Sequence, residues 1–420
     1  GAGDNSLTLS NGFAAGATIT AGSGTNDTIT LRGGDYLTIA GYSAKNLAKV
    51  TGFEVLGFSD ALSTNAYDIS AISGIAAVTL KSGVASGNTA SLVNAVSGET
   101  FTLTGDLVTN NGVVAVVLAA DGTADVANFV LKANYTDNND TNVNTNARME
   151  NIDASTFETV NVNSSGAQQN PFAGTTVGYK ADTVINTLNL TDNQLVTLKV
   201  TGDQALVFAS TAGMTKLATV DASANTGGFT FDGTAVGPTA VAMTVTGSAT
   251  AANSLTGGAN ADTIIGGGKG DLIQGGGGAD TLTGGAGNDI FKYVAITDSQ
   301  IAKRDVVTDF TANTVGLGTS GAATSAGAAG ATVRTGDVID FTTFGNVQGH
   351  NVDLNVSANA ANAQTYIQNA FAGGLLGNSI HVALDSSTGI LYADVNNDGN
   401  IDIAITLTGV TTLTSAAFLV

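Results

Sequence analysis

Four consecutive nonapeptides at residues 257–292 limit what this chain can fold into more than any other feature. They read GGANADTII, GGGKGDLIQ, GGGGADTLT and GGAGNDIFK, which fit Gly-Gly-x-Gly-x-Asp-x-apolar-x, with Asn260 and Lys269 replacing the fourth-place glycine in the first two copies. A glycine-rich linker would keep neither this register nor the apolar position. The aspartates recur every nine residues, and a large apolar residue follows two places after each: Asp262, Asp271, Asp280 and Asp289, then Ile264, Ile273, Leu282 and Phe291.

This spacing predicts a β-roll in which six residues turn and three form a short strand. Side chains alternate along a strand, so the apolar position points inward, and glycine permits the positive φ angles of the turns. Successive turns lie on opposite edges, which pairs Asp262 with Asp280 and Asp271 with Asp289. Each pair can clamp one Ca²⁺ when backbone carbonyl oxygens complete an all-oxygen ligand set. The candidate metal-binding residues beside the aspartates are Gly258, Asn260, Gly267, Lys269, Gly276, Gly278, Gly285 and Gly287.

The composition supports a chain built from turns that hold hard cations. There are 34 acidic and 14 basic side chains, a net charge of −20, and only four of the acids are glutamate. Aspartate favours turns and oxygen cages, whereas glutamate favours helices. The negative charge argues against nucleic-acid binding, and no apolar stretch is long enough for membrane insertion. Cysteine is absent, so we expect metal ions to stabilise the fold in place of disulfides.

The predicted fold class is all-β. Residues 1–252 read as short alternating strands separated by Gly, Asn, Asp and Ser, and phrases such as MENIDAS and ATVDAS recur. Recurring rungs favour a right-handed parallel β-solenoid that continues into the β-roll. A β-sandwich with similar turn spacing is the structural alternative.

We predict four segments. They are a β-solenoid or β-rich lattice domain at 1–252, the β-roll and its cap at 253–310, an Ala/Gly-rich insertion at 311–335, and a small mixed α/β region at 336–420. One amphipathic helix is expected at 358–372. The first residues lack a classical signal peptide and begin abruptly in a strand-like pattern, so we expect the chain to be the C-terminal part of a longer protein.

The nonapeptides resemble the RTX family of bacterial proteins, which are exported by type I secretion. In the flank TDSQIAKRDVVTDF, Asp298 and Asp305 match positions that bind a further calcium in that family, and the ending GDVIDF repeats at 336–341. The last residues, SAAFLV, are similar to the family's uncleaved secretion signal. The Thr/Asn-rich rungs of 1–252 resemble the RTX surface-layer (S-layer) proteins of Gram-negative bacteria.

A second candidate calcium loop is DVNNDGNID at residues 394–402. It has oxygen-bearing side chains at its first, third, fifth and ninth places and Gly399 at its sixth. Ile405 stands where a bidentate acid is expected, so the segment is either a weak calcium site or an Asp-Gly hairpin turn. Its candidate ligands are Asp394, Asn396, Asp398, Asn400 and Asp402.

Function is predicted from the resemblance and from what the chain lacks. The only histidines are His350 and His381, which excludes an HExxH site or a Ser-His-Asp triad within residues 1–250. We therefore expect a structural protein and not an enzyme, with Ca²⁺ as its cofactor. The S-layer resemblance implies partners: further copies of this chain, cell-surface polysaccharide bound through an N-terminal region missing here, and the type I secretion machinery. Alternatives are an RTX adhesin or filament component, or the C-terminal secretion module of a secreted enzyme.

Overall fold

The computed structural model describes the chain apart from residues 1–2, 106–111, 137–144, 170–182, 237–240, 315–334, 345–350, 358, 360, 363–364, 368 and 370–378. The chain divides into two compact units, Gly1–Leu217 and Ala218–Val420.

The first unit is a stack of β-coils. Its strands are β1 (Ser6–Thr8), β2 (Ile19–Thr20), β3 (Thr28–Leu31), β4 (Val50–Thr51), β5 (Val55–Phe58), β6 (Asn65–Asp68), β7 (Ala77–Leu80), β8 (Thr89–Ala95), β9 (Thr100–Gly105), β10 (Val113–Leu118), β11 (Val126–Thr136), β12 (Thr145–Asp153), β13 (Thr159–Gln169), β14 (Thr183–Thr191), β15 (Thr197–Gly202) and β16 (Ala205–Ala209). The odd-numbered strands, from β1 to β15, pair in parallel along one face. β2 and β4 pair in parallel as a separate two-stranded sheet. Even-numbered strands from β6 to β16 pair in parallel along a second face.

The second unit repeats this arrangement with shorter strands. They are β17 (Thr219–Asn225), β18 (Phe229–Asp232), β19 (Thr244–Thr246), β20 (Ser254–Thr256), β21 (Thr263–Gly267), β22 (Leu272–Gln274), β23 (Thr281–Gly285), β24 (Ile290–Lys292), β25 (Asp305–Val307), β26 (Val338–Asp340), β27 (Asn351–Ser357), β28 (Ser379–Asp385), β29 (Ile390–Asp394), β30 (Ile403–Leu407) and β31 (Phe418–Leu419). One parallel face runs β17, β19, β21, β23, β25 and β30, and the other runs β18, β20, β22, β24, β26 and β31.

Parallel pairing between every second strand confirms the β-solenoid and excludes the sandwich. Since each strand presents alternate side chains inward, the apolar residues stack into columns along the coil axis. In the β-roll, Ile264 is in register with Leu282, and Ile273 is in register with Phe291. All four are at most 1 % exposed, so the apolar eighth position of each nonapeptide forms the core.

Two short α-helices interrupt the β-strands of residues 1–252. Helices α1 (Gly33–Ala40) and α2 (Ala44–Leu47) follow β3. The segment GGDYLTIA has strand-like composition, but Tyr36 and Ile39, one helical turn apart, are both buried. The hydroxyl of Tyr36 donates to the carbonyl oxygen of Asp68 at 2.5 Å, so tertiary contacts hold a helix that propensity does not favour.

The C-terminal region closes the second unit. β28, β29 and β30 form an antiparallel meander, and β30 pairs in parallel with β25 of the coil. Residues 365–367 of the expected helix are helical, and Ile367 packs with Ala383, Tyr392 and Ala404; much of that helix lies outside the described residues. So does most of the predicted insertion. No helix in the described part of the chain is long and apolar enough to cross a membrane.

Candidate metal centre

A ladder of aspartates runs along one edge of the β-roll. The Oδ1 atom of Asp280 accepts the backbone N–H of Asp262 at 2.7 Å. One coil earlier, Asp262 accepts the N–H of Met243 at 2.7 Å, and one coil later Asp305 accepts the N–H of Asp280 at 2.9 Å. Each carboxylate therefore fixes the backbone of the preceding coil, with turns two repeats apart directly stacked.

A second ladder follows the opposite edge. Asp271 accepts the backbone N–H of Asn253 at 2.7 Å, and Asp289 accepts that of Asp271 at 2.8 Å. Asp337 accepts the N–H of Asp289 at 2.8 Å and so continues the ladder past the nonapeptides. Asp337 is not among the ligands predicted from the sequence, although the repeated ending GDVIDF places it at the position that Asp305 occupies in RDVVTDF.

These hydrogen bonds use one oxygen of each carboxylate. Oδ2 of Asp262 also accepts the N–H of Gly258, and Oδ2 of Asp337 accepts that of Thr311, both at 2.7 Å. The Oδ2 atoms of Asp271, Asp280 and Asp305 are buried with no hydrogen-bond partner. The side chains themselves are at most 1 % exposed. A buried anionic oxygen without a partner is strongly unfavourable, so these atoms require a cation or a proton. This is the observation that fits the site to a metal ion.

The first glycine of each nonapeptide lies against the Oδ2 atom of the aspartate in the same repeat. A methyl group on Gly266, the first residue of the second repeat, would lie 2.5 Å from Oδ2 of Asp271, and one on Gly257 would lie 2.8 Å from Oδ2 of Asp262. Asp280 and Asp289 stand in the same relation to the first glycines of their own repeats. A side chain at any of these positions would collide with the carboxylate of the same repeat.

The candidate carbonyl ligands lie on the facing turns. The carbonyl oxygens of Gly258 and Gly267 point towards Gly276 and Gly285 of the coil above, as do those of Asn260 and Lys269 towards Gly278 and Gly287. The four glycines of the coil above have positive φ angles: 89° at Gly276, 144° at Gly278, 96° at Gly285 and 146° at Gly287. Lys269, like Asn260, departs from glycine at the fourth place, and neither residue has a positive φ.

Burial changes the acidity of the ladder. It raises the pKa of Asp271 to about 6, and those of Asp280 and Asp289 to about 7. Burial, together with the charges of Asp280 and Asp298, raises the pKa of Asp305 to about 8. Asp298, whose Oδ2 accepts the N–H groups of Val294 and Ala295, also has a raised pKa because of burial.

Asp280, Asp298 and Asp305 therefore form an acidic cluster in which the charges raise one another's pKa, and the sequence predicts a further calcium ion there. Among the described residues, no group of three or more Asp, Glu, His or Cys side chains is arranged to hold a metal ion by itself. Backbone carbonyl oxygens must supply the remaining ligands. Two carboxylates with several carbonyls form a hard oxygen set that suits calcium.

The loop at residues 394–402 joins β29 and β30 as a hairpin. Asp394 accepts the N–H groups of Asp398 at 3.2 Å and Gly399 at 2.8 Å. Asp402 accepts those of Val395 and Asn396 at 2.9 and 3.2 Å, and Asp398 accepts that of Asn400 at 2.8 Å. These bonds close the loop without a metal, so its role as a calcium site stays a prediction.

Stacked aspartate turns on a parallel coil define a calcium-binding β-roll. In a comparison with protein families, residues 253–291 match the RTX calcium-binding nonapeptide repeat in four copies. The roll of this chain is thus an RTX roll and its cofactor is Ca²⁺. No curated protein matched the chain in a sequence search.

Proposed function

We propose that this protein is a structural component of a bacterial cell surface that folds on calcium after secretion and assembles with copies of itself into an S-layer. RTX repeats are typical of proteins secreted to the outside of the cell. The observation that carries the proposal is the pair of aspartate ladders, whose buried, unpartnered oxygens make the fold of the roll depend on a cation.

Calcium concentration then acts as a folding switch. Inside a cell, free calcium is scarce, the ladder carboxylates repel one another, and the roll stays open enough for export by a type I secretion machinery. Outside, even sites with Kd of about 10⁻⁴–10⁻³ M are filled. The binding free energy is then part of the folding free energy.

Apolar side chains that follow the roll suit contacts between copies. Val294, Ile296 and Ile301 are 37 %, 44 % and 45 % exposed. They belong to the segment between β24 and β25 that also carries Asp298, so calcium at the acidic cluster would order this surface. A surface that forms only with calcium would restrict assembly to the outside of the cell.

Electron microscopy of the purified chain during a calcium titration tests the proposal. A two-dimensional lattice should form as calcium rises into the millimolar range and dissolve when a chelator is added, while magnesium at the same ionic strength should not replace calcium. Fibres would instead favour an adhesin or filament component. Single particles at every calcium concentration would overturn self-assembly, and an activity found in a longer form of the chain would favour a secretion module of an enzyme.

A further inference from the structure

We infer that the first coils of the chain, more than 200 residues before the RTX repeats in sequence, hold another calcium site, centred on Asp27. The segment Gly22–Thr30 reads GSGTNDTIT, which is identical to the third nonapeptide, GGGGADTLT, at its first, third, sixth, seventh and ninth places. The sixth place is the ladder aspartate in the roll and Asp27 here. The family match begins only at residue 253, so it does not include this segment.

Asp27 occupies the same structural position as the ladder aspartates. It immediately precedes β3, whose Ile29 is fully buried at the eighth place of the pattern. Its Oδ1 accepts the backbone N–H of Asn5 at 2.6 Å, just as Asp280 accepts that of Asp262. On the next coil, Glu54 accepts the N–H of Asp27 at 2.9 Å, as Asp305 does for Asp280.

The second oxygen of Asp27 lacks a hydrogen-bond partner, as do those of Asp271, Asp280 and Asp305. Asp27 is 0 % exposed, and its Oδ2 is buried without a hydrogen-bond partner. Such an oxygen requires a counter-charge. Asp27 forms no ion pair with a lysine or arginine among the described residues.

Further oxygens converge on the same turn. A methyl group on Gly24 would lie 2.8 Å from Oδ1 of Asp27, 2.8 Å from the carbonyl oxygen of Gly3 and 2.9 Å from Oδ1 of Asp4. The turn thus brings two carboxylates and a carbonyl together at a position that lacks a side chain. Glu54, on the coil above, brings a third acid to the neighbourhood of Asp27. Hard oxygen atoms of this kind favour calcium over softer transition metals.

The pattern departs from the nonapeptide at two places. Ser23 and Thr25 replace the glycines at the second and fourth positions, so the turn is bulkier than those of the roll. Asp4, on the exposed side, takes part through hydrogen bonds from the N–H groups of Thr25 and Asn26 at 3.1 and 3.2 Å. We therefore expect a weaker site than those of the roll.

Isothermal titration of the full chain with CaCl₂ tests the inference, with the number of bound ions checked by elemental analysis. Asp27→Asn, which preserves the oxygen that accepts from Asn5, should bind one ion fewer than the parent. Asp4→Asn should keep the ion but weaken its binding several-fold. Asp121→Asn, at an exposed position between β10 and β11, is the matched control and should change neither the number of bound ions nor the affinity.

Hydrogen exchange of the unaltered chain gives a reading that does not depend on any variant folding. Added calcium should slow exchange at residues 3–8 and 24–31, and this protection should be lost in Asp27→Asn while protection of residues 254–292 persists. An unchanged ion count in Asp27→Asn, or no calcium effect on residues 3–31 of the parent, would overturn the site. Neither result would bear on lattice formation, so the two proposals fail separately.

Discussion

The coils at residues 126–202 and those at 254–292 share one architecture but stack different polar side chains from coil to coil. In the first set, amides stack: Asn161 donates from Nδ2 to Oδ1 of Asn128 at 2.8 Å, and Asn189 donates to Asn151 at 2.9 Å. In the second set, the stacked groups are carboxylates. An amide carries both a donor and an acceptor and so satisfies the next amide, whereas a carboxylate only accepts.

The two sets also differ in how much core they bury. β11 and β13 have 11 residues each, whereas β22 and β24 have three. Longer strands enclose more apolar surface, at roughly 25 cal/mol per Å² buried. We infer that a solenoid coil can be stabilised by its own core and amides. A coil with a smaller core and buried carboxylates depends instead on calcium.

Calcium removal should separate the two sets most strongly. With calcium about a hundredfold above Kd, one site contributes about 2.7 kcal/mol, so the two clamps of the roll contribute about twice that. Adding EGTA should therefore expose amides of residues 254–292 to rapid hydrogen exchange while residues 126–136 and 159–165 remain protected. Equal exchange in both sets with and without EGTA would remove the basis of the comparison.

The pH dependence should differ between the calcium-free and calcium-bound states. The pKa values of Asp271, Asp280, Asp289 and Asp305 are raised to about 6 to 8 in the folded roll by burial, while those of the unfolded chain stay near 3.9. Between these limits, the folded calcium-free roll binds more protons, so its free energy of unfolding falls as pH rises.

Calcium displaces those protons, and its stabilising effect should accordingly grow from pH 5 to pH 8. Thermal unfolding of protein stripped with a chelating resin, followed by circular dichroism with and without added CaCl₂ at each pH, measures both trends. A calcium-free roll that becomes more stable towards pH 8 would contradict the assignment.

A single charge removed from the roll should have opposite effects in the two states. Asp280→Asn keeps the oxygen that accepts from Asp262 but removes a buried charge from the cluster with Asp298 and Asp305. We expect calcium affinity to fall roughly tenfold to a hundredfold, at 1.4 kcal/mol per tenfold, and the calcium-free protein to gain stability. Calcium titration measures the affinity, and melting curves of chelator-treated protein measure the stability of the calcium-free state, with Asp121→Asn as control.

The smallest effect is expected in the amide set. Asn161→Ala removes the hydrogen bond to Asn128 and should lower the free energy of unfolding by about 1 kcal/mol. Because no carboxylate is involved, the loss measured by urea unfolding should be the same with calcium and with EGTA. A loss that appears only with calcium would mean that the front coils also depend on the ion through this ladder.

The fixed nine-residue period made the stacking of the roll and its core predictable, because it sets both the turn edge and the inward position. The solenoid before it was predictable only as a class, since its coils vary in length and no period fixes which strands pair. The helix α1 was missed because its burial depends on residues such as Tyr67 and Phe58 that are distant in sequence. Asp337 was missed because a long insertion separates it from the repeats that it continues.

The last strand of the chain depends on the folded β-roll for its pairing. β31 pairs with β26, and Phe418 stacks on Phe341 with ring centroids 6.3 Å apart. β26 in turn pairs with β24, the final nonapeptide strand. The last strand therefore has no partner strand until the roll has formed, so the accessibility of the carboxyl terminus to a protease or an antibody should report whether the roll is folded.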